Sequence, residues 1–362
     1  MDPTDQKVYK RKFEVGIIGL GNIGTGVAHY LFSEFENVRF NLFSRSYNIQ
    51  DKDMQKQRIQ ELTGGIPSGE RVKWYKCIDE ELNSNGGRFL DSDIIIYAAR
   101  NQNVSFSDFK ERDDEFFANL EKIKPDAEKL RNYKKGVVII ATNPLEPTAE
   151  AIAKISGISR NRIIAASFVD TYRFRYELSD KLYKFAHIKI KPEFLNRAVV
   201  IGEHGPEMIP VYSLIKIGSR RFLTDPRLDK DKTREKIKFE IKKALVTGPT
   251  KFQTNTGNPM RNVRVPSKAL VETVKAIIKC GKIPTISFSN DFPHTRVEDC
   301  FITTECKFTK LEDKVSSTIV EADSDFISEI SSSERVKYVQ SKRELVQRIN
   351  DLMKKAGLVS FH

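Results

Sequence analysis

The chain has 362 residues and a formal net charge of +12, with 39% hydrophobic and 30% charged residues, which admits one large domain or two and suits a globular protein. No apolar run approaches the roughly 18 residues of a membrane span, and the start, Met1 to Lys7, lacks the basic and apolar regions of a signal peptide, so a cytoplasmic protein without membrane association is expected. Cys77, Cys280, Cys300 and Cys306 lie apart with no CxxC pair, which argues against a metal site or a disulfide framework.

In chain order, Val15–Ile18 is a short apolar strand, followed by Gly19-Leu20-Gly21-Asn22-Ile23-Gly24 and a helix-like segment to Phe32. Further strands are expected at Val38–Phe43, Asp93–Tyr97, Gly136–Ile140 and Arg162–Ala166, separated by helix-compatible stretches such as Asp113–Asn132. Short, continuously apolar strands alternating with helices predict an α/β fold with a parallel sheet covered on both faces. Beyond about residue 168 the strands become more polar, at His187–Lys191 and Pro284–Ser289, and basic helices are expected at Lys232–Leu245 and Ser333–Ala356. The expected organisation is a Rossmann-type domain over 1–168 and a mixed α+β substrate domain over 169–362.

The GxGxxG turn between strand and helix fits a dinucleotide. Gly19 permits the tight turn, Gly21 the approach of a pyrophosphate and Gly24 close helix–strand packing, with Asn22 and Ile23 opening the helix whose N-terminus favours anions. A site for NAD usually carries an acidic residue at the end of the second strand, for the ribose 2′-hydroxyl. Here that position reads Ser44-Arg45-Ser46. No carboxylate repels a 2′-phosphate there and Arg45 can bind one, so NADP is expected over NAD, the alternative being that Arg45 stacks on adenine or faces water.

His204 follows an apolar segment, between Gly202 and Gly205, and its imidazole can trade a proton near neutral pH. Upstream lie Asp170 and Arg173, in Ser167-Phe168-Val169-Asp170-Thr171-Tyr172-Arg173. Taken with the glycine turn and in this order, these motifs resemble the lactate/malate dehydrogenase family. The resemblance implies that His204 exchanges a proton with the substrate hydroxyl, that Asp170 bonds the imidazole, and that Arg173 grips the substrate carboxylate. Thr142-Asn143-Pro144 resembles the family's TNP turn, where the asparagine lies beside the nicotinamide ribose and substrate and the proline is usually cis; the continuation Leu145-Glu146-Pro147 departs from the common Val-Asp. Arg112 matches the loop arginine that polarises the substrate carbonyl, with Asn119 as a landmark seven residues on. The specificity position falls at Arg100, Gln102 or Asn103: arginine would favour malate, glutamine lactate. Pro266-Ser267 fits a segment lining the substrate pocket, or an ordinary helix start.

The expected function is therefore transfer of a hydride between a nicotinamide cofactor and a small 2-hydroxy/2-keto acid. Malate/oxaloacetate is favoured, lactate/pyruvate is the alternative, and a homodimer or homotetramer is implied. From another class, the +12 charge would suit a non-catalytic basic Rossmann-fold protein that binds nucleic acid. Interspersion of the basic residues with acids, as in Asp229–Lys232, favours a solvated surface whose field attracts anionic substrates, with no nucleic-acid partner.

Overall fold

The structure, a computed structural model, describes residues 12–45, 57, 60, 62–63, 71–79, 81–82, 87–101, 112–254, 264–289, 298–312 and 314–358. Among the described residues six strands run parallel: β1 (Phe13–Ile18), β2 (Val38–Phe43), β3 (Val72–Tyr75), β4 (Ile94–Tyr97), β5 (Val137–Ile140) and β6 (Ile163–Ala165). Their spatial order is β3-β2-β1-β4-β5-β6. This is the doubly wound arrangement, whose switch point between β1 and β4 opens the crevice where such sheets bind nucleotides.

Hydrophobic periodicity explains the layers. Every residue of β4 and β5 is buried, as expected of strands covered on both faces. Alternate side chains feed two apolar cores. Ile95, Tyr97, Val138 and Ile140 join the core beneath α2 (Arg112–Lys129) and α3 (Leu145–Ser156), while Ile94, Ile96, Val137 and Ile139 join the one beneath α1 (Asn22–Glu34).

Residue 168 opens α4 (Phe168–Ala186), just after β6, but the sheet does not end there. After β7 (Val199–Ile201), β8 (Ile209–Val211), α5 (Thr233–Thr254) and α6 (Arg264–Lys279), the chain returns to it. Strand β9 (Lys282–Ser289) pairs antiparallel with β6, then β10 (Cys300–Lys310) and β11 (Thr318–Ala322) extend the sheet to nine strands among the described residues. Helix α7 (Ser332–Lys355) follows, started by a capping box between Ser331 and Glu334. A third core, built on Phe174, Leu178, Ile215, Phe222, Ile237 and Ile241, holds α4 and α5 together.

One expected strand is absent. His187–Lys191 is irregular backbone, because His187 takes the left-handed conformation (φ 53°) that ends α4. The amides of His187 and Ile188 are spent on the carbonyls of Tyr183 and Leu182 at 3.0 and 3.2 Å, and alternation of polarity alone could not reveal that helix cap.

Helix α1 lies so close to the glycine turn that a Cβ on Gly24 would collide with the carbonyl oxygen of Gly19. Gly24→Ala must therefore shift α1 from β1. Overpacking of this kind costs about 1–3 kcal/mol, so thermal unfolding should move down by several degrees; an unchanged midpoint would show that α1 adjusts freely.

Candidate active site

Gly19, in the left-handed region at φ 91°, turns the chain out of β1, and its amide bonds Phe43 O at 2.9 Å. Gly21 caps α1 without any side-chain bond, and a Cβ there would meet nothing within 4 Å. The start of α1 at Gly21, where its first amides lie, thus opens beside free space at the sheet's switch point. This cradle fits a dinucleotide pyrophosphate. At the end of β2, Arg45 bonds the Asp126 carboxylate and, at 3.3 Å, Lys122 O, both through Nη2. Ser46, Gln102 and Asn103 lie outside the described residues.

Asp170, His204 and Arg173 come together at the foot of α4. Asp170 stands in the first turn of that helix, 1% exposed, where the N-terminal dipole favours a carboxylate. Its Oδ2 lies 2.5 Å from His204 Nδ1, and its Oδ1 accepts from Arg173 Nη1 at 3.2 Å, one helical turn on. Burial alone would push this carboxyl up, but His204, then Arg173 and Arg112, outweigh it and hold it below the usual carboxylate range.

His204 rides on a loop fixed from four sides. At its base, Gly202 and Thr303 of β10 exchange backbone hydrogen bonds at 3.0 and 3.1 Å. Glu203 pairs with Arg348 of α7, which also bonds Asp113 at 2.9 Å, next to Arg112. The His204 amide donates to Glu146 Oε1 at 2.5 Å, and the His204 carbonyl accepts from Arg112 Nη1. Gly205 makes that last contact possible, since a Cβ at this position would collide with the Arg112 guanidinium.

The Asn143–Pro144 peptide is cis and delivers the chain into α3, with Glu146 in its first turn. Asn119 of α2 donates to Asn143 O at 2.9 Å and accepts from the amide of Asn101 at 2.9 Å, so α2 grips both the turn and the segment after β4. Glu146 is 2% exposed; burial raises its pKa, and His204 pulls it back down.

The structure thus brings His204, Asp170, Arg173 and Arg112 into one site, with Asn143 alongside through Asn119. Arg100 is exposed beside Asn101. Ser267 is fully buried within α6, packing as part of the helix. Sequence reasoning missed Glu146, Glu203, Arg348 and Asp126. Only Glu146 had a signal, the departure from the family's usual residues after Pro144.

No family model matches the chain. It is 28% identical over 225 residues to a malate dehydrogenase of Hydrogenobaculum sp., covering 57% of this chain and 60% of that protein. It is 26% identical over 230 residues to an L-lactate dehydrogenase of Priestia megaterium, covering 60% and 63%. The chain therefore spans about three fifths of the length of these relatives. A solved lactate dehydrogenase from Eimeria maxima, with NADH and oxamate, shares the fold at a TM-score of 0.73 and 16% identity, over 97% of this chain and 99% of that one. The aligned sequences and the shared doubly wound sheet agree: the chain is similar in sequence to malate and lactate dehydrogenases and shares the fold of a solved lactate dehydrogenase.

Proposed function

We propose that this chain is a nicotinamide-dependent dehydrogenase of small 2-hydroxy/2-keto acids. The observation that carries the reading is the His204–Asp170–Arg173 constellation, with Nδ1 and a buried carboxylate 2.5 Å apart. When bound, the nicotinamide supplies hydride to, or takes it from, the substrate carbon. With Nδ1 committed to Asp170, His204 has Nε2 left to give a proton to a keto oxygen or take one from a hydroxyl. Asp170 fixes the tautomer and stabilises the protonated ring. Arg173 spends Nη1 on Asp170, leaving the rest of its fork for the substrate carboxylate, which sets the face of the keto group. Arg112, docked on the His204 carbonyl, stands where charge develops on the substrate oxygen. On this reading 1–168 carry the cofactor and 169–362 the acid–base and carboxylate groups.

Malate/oxaloacetate follows if Arg100 is a cation available to a second carboxylate, lactate/pyruvate if it is not. A homodimer or homotetramer in the cytoplasm goes with the family reading. Tyr176 and Tyr183 on α4 and Phe239 on α5 are exposed apolar surface consistent with assembly, and no described helix is long and apolar enough to cross a membrane.

Replacing His204 by Asn should lower turnover of 2-keto acids by about 10²–10⁴-fold, while NADH or NADPH binding, followed by nucleotide fluorescence, is retained. Activity within a few-fold of the parent would remove His204 from the chemistry. Arg173→Lys keeps the charge and loses the fork; kcat/KM for keto acids should fall at least tenfold, and an unchanged value would place the carboxylate elsewhere.

The cofactor reading is NADP over NAD. Both bonds of Arg45 to α2 leave from Nη2, so among the described residues Nη1 and Nε remain for a 2′-phosphate beside Ser44. NADPH should then show the higher kcat/KM, and Arg45→Gln should cut it about tenfold with little effect on NADH, since a charge-assisted bond contributes about 1.5–3 kcal/mol. A parent enzyme that prefers NADH would refute the role of Arg45 and leave the dehydrogenase reading intact.

A further inference from the structure

Arg112, Glu115 and Asn119 stand at i, i+3 and i+7 on α2, along one face of the helix. Both ends of that face touch the candidate site: Arg112 donates to the His204 carbonyl, and Asn119 donates to Asn143 O at 2.9 Å. Glu115 is held between them and must face the same way. Its side chain is half-buried and lies within electrostatic reach of Arg112, Arg100 and His204. Burial raises its pKa, against the pull of those three groups. Among the described residues no hydrogen bond or ion pair engages its carboxylate, so it is available to a bound molecule.

Its position relative to the reacting groups gives it a role. Arg173 and Asp170 mark the end of the site that takes the substrate carboxylate, and His204 with Arg112 marks the keto oxygen. On the dehydrogenase reading, what remains towards α2 and the end of β4 is the end that meets the substrate's side chain; Arg100 follows β4 and acts electrostatically on Glu115 of α2. The positive charge of Arg100 by itself favours a second carboxylate. With Glu115 beside it that cation is already offset, and a second carboxylate would meet a like charge in a half-buried setting.

We propose that Glu115 sets substrate specificity, so that the pocket accepts 2-keto acids with a neutral or cationic side chain and rejects dicarboxylates such as oxaloacetate. The proposal rests on the dehydrogenase reading for the orientation of the substrate, and it chooses between the two substrate classes that reading leaves open.

Binding, rather than turnover, tests it. With NADH and with NADPH present, the dissociation constants of oxamate (one carboxylate) and hydroxymalonate (two) are measured by calorimetry for the parent and for Glu115→Gln, a near-isosteric change whose folding is checked by circular dichroism. The parent should bind oxamate at least tenfold more tightly, and Glu115→Gln should shift the ratio of the two constants towards hydroxymalonate by about tenfold. A ratio unmoved by the substitution, a parent that prefers hydroxymalonate, or no binding of either anion overturns the proposal. Steady-state reduction of pyruvate and oxaloacetate provides the separate check: no turnover of any keto acid, with the binding ratio shifted as expected, would reject the dehydrogenase reading and leave Glu115 as the discriminating group.

Discussion

A carboxylate that is 1% exposed must be met by positive charge, and Asp170 dictates much of what surrounds it. It sits at the N-terminus of α4, accepts from Arg173 on the next turn and faces His204 from a loop 34 residues later. Removing any one of these partners would leave a buried charge less well compensated. On the proposed reading the same three-way contact serves the chemistry, because a carboxylate at Nδ1 leaves the proton exchange to the other ring nitrogen. Folding and the proposed chemistry thus place the same demand on this residue.

His204 comes from a loop, yet its surroundings leave it little freedom. The Gly202–Thr303 bridge joins the loop to β10, which belongs to the extension of the sheet beyond β6. Arg348 reaches from α7 to Glu203 and Asp113 at once, so the residue before the histidine and the residue after Arg112 share one guanidinium. Since α7 is near the end of the described chain, elements from every part of the sequence meet around His204. That is the structural sense of the antiparallel extension: one of the strands that lengthen the sheet, β10, also anchors the histidine loop between β7 and β8.

The sequence made the repeating and local parts of this arrangement legible. Continuous apolar runs identified the parallel strands, the glycine spacing identified the turn into α1, and the motif order singled out His204, Asp170 and Arg173. What it did not reveal depends on long-range pairing. That β9 to β11 join the first sheet follows from antiparallel register between segments more than 100 residues apart, which no period in the sequence encodes. The polar text of His187–Lys191 resembles a strand until the cap of α4 consumes its first amides. Glu146 and Arg348 look like ordinary helix residues, and their contacts with the histidine loop arise only once α3 and α7 are packed. Asp126 is similar, an acid in a charged helix until the end of β2 brings Arg45 to it.

Net charge acquires a different meaning at this scale. The chain carries +12 overall, but the candidate site is not a pool of uncompensated cations. Arg173 faces Asp170, Arg348 is divided between Glu203 and Asp113, and Arg112 is docked on a carbonyl with Glu115 one turn away. The basic excess therefore resides elsewhere on the molecule. There it can raise the local concentration of anions without distinguishing among them, since a long-range field acts on charge and not on shape. Discrimination falls to the short-range pairs, where each carboxylate limits what its neighbouring arginine can still bind. On the proposed reading, a histidine, an aspartate and arginines in the order seen in such dehydrogenases can thus serve a different acid, through the carboxylates set among them.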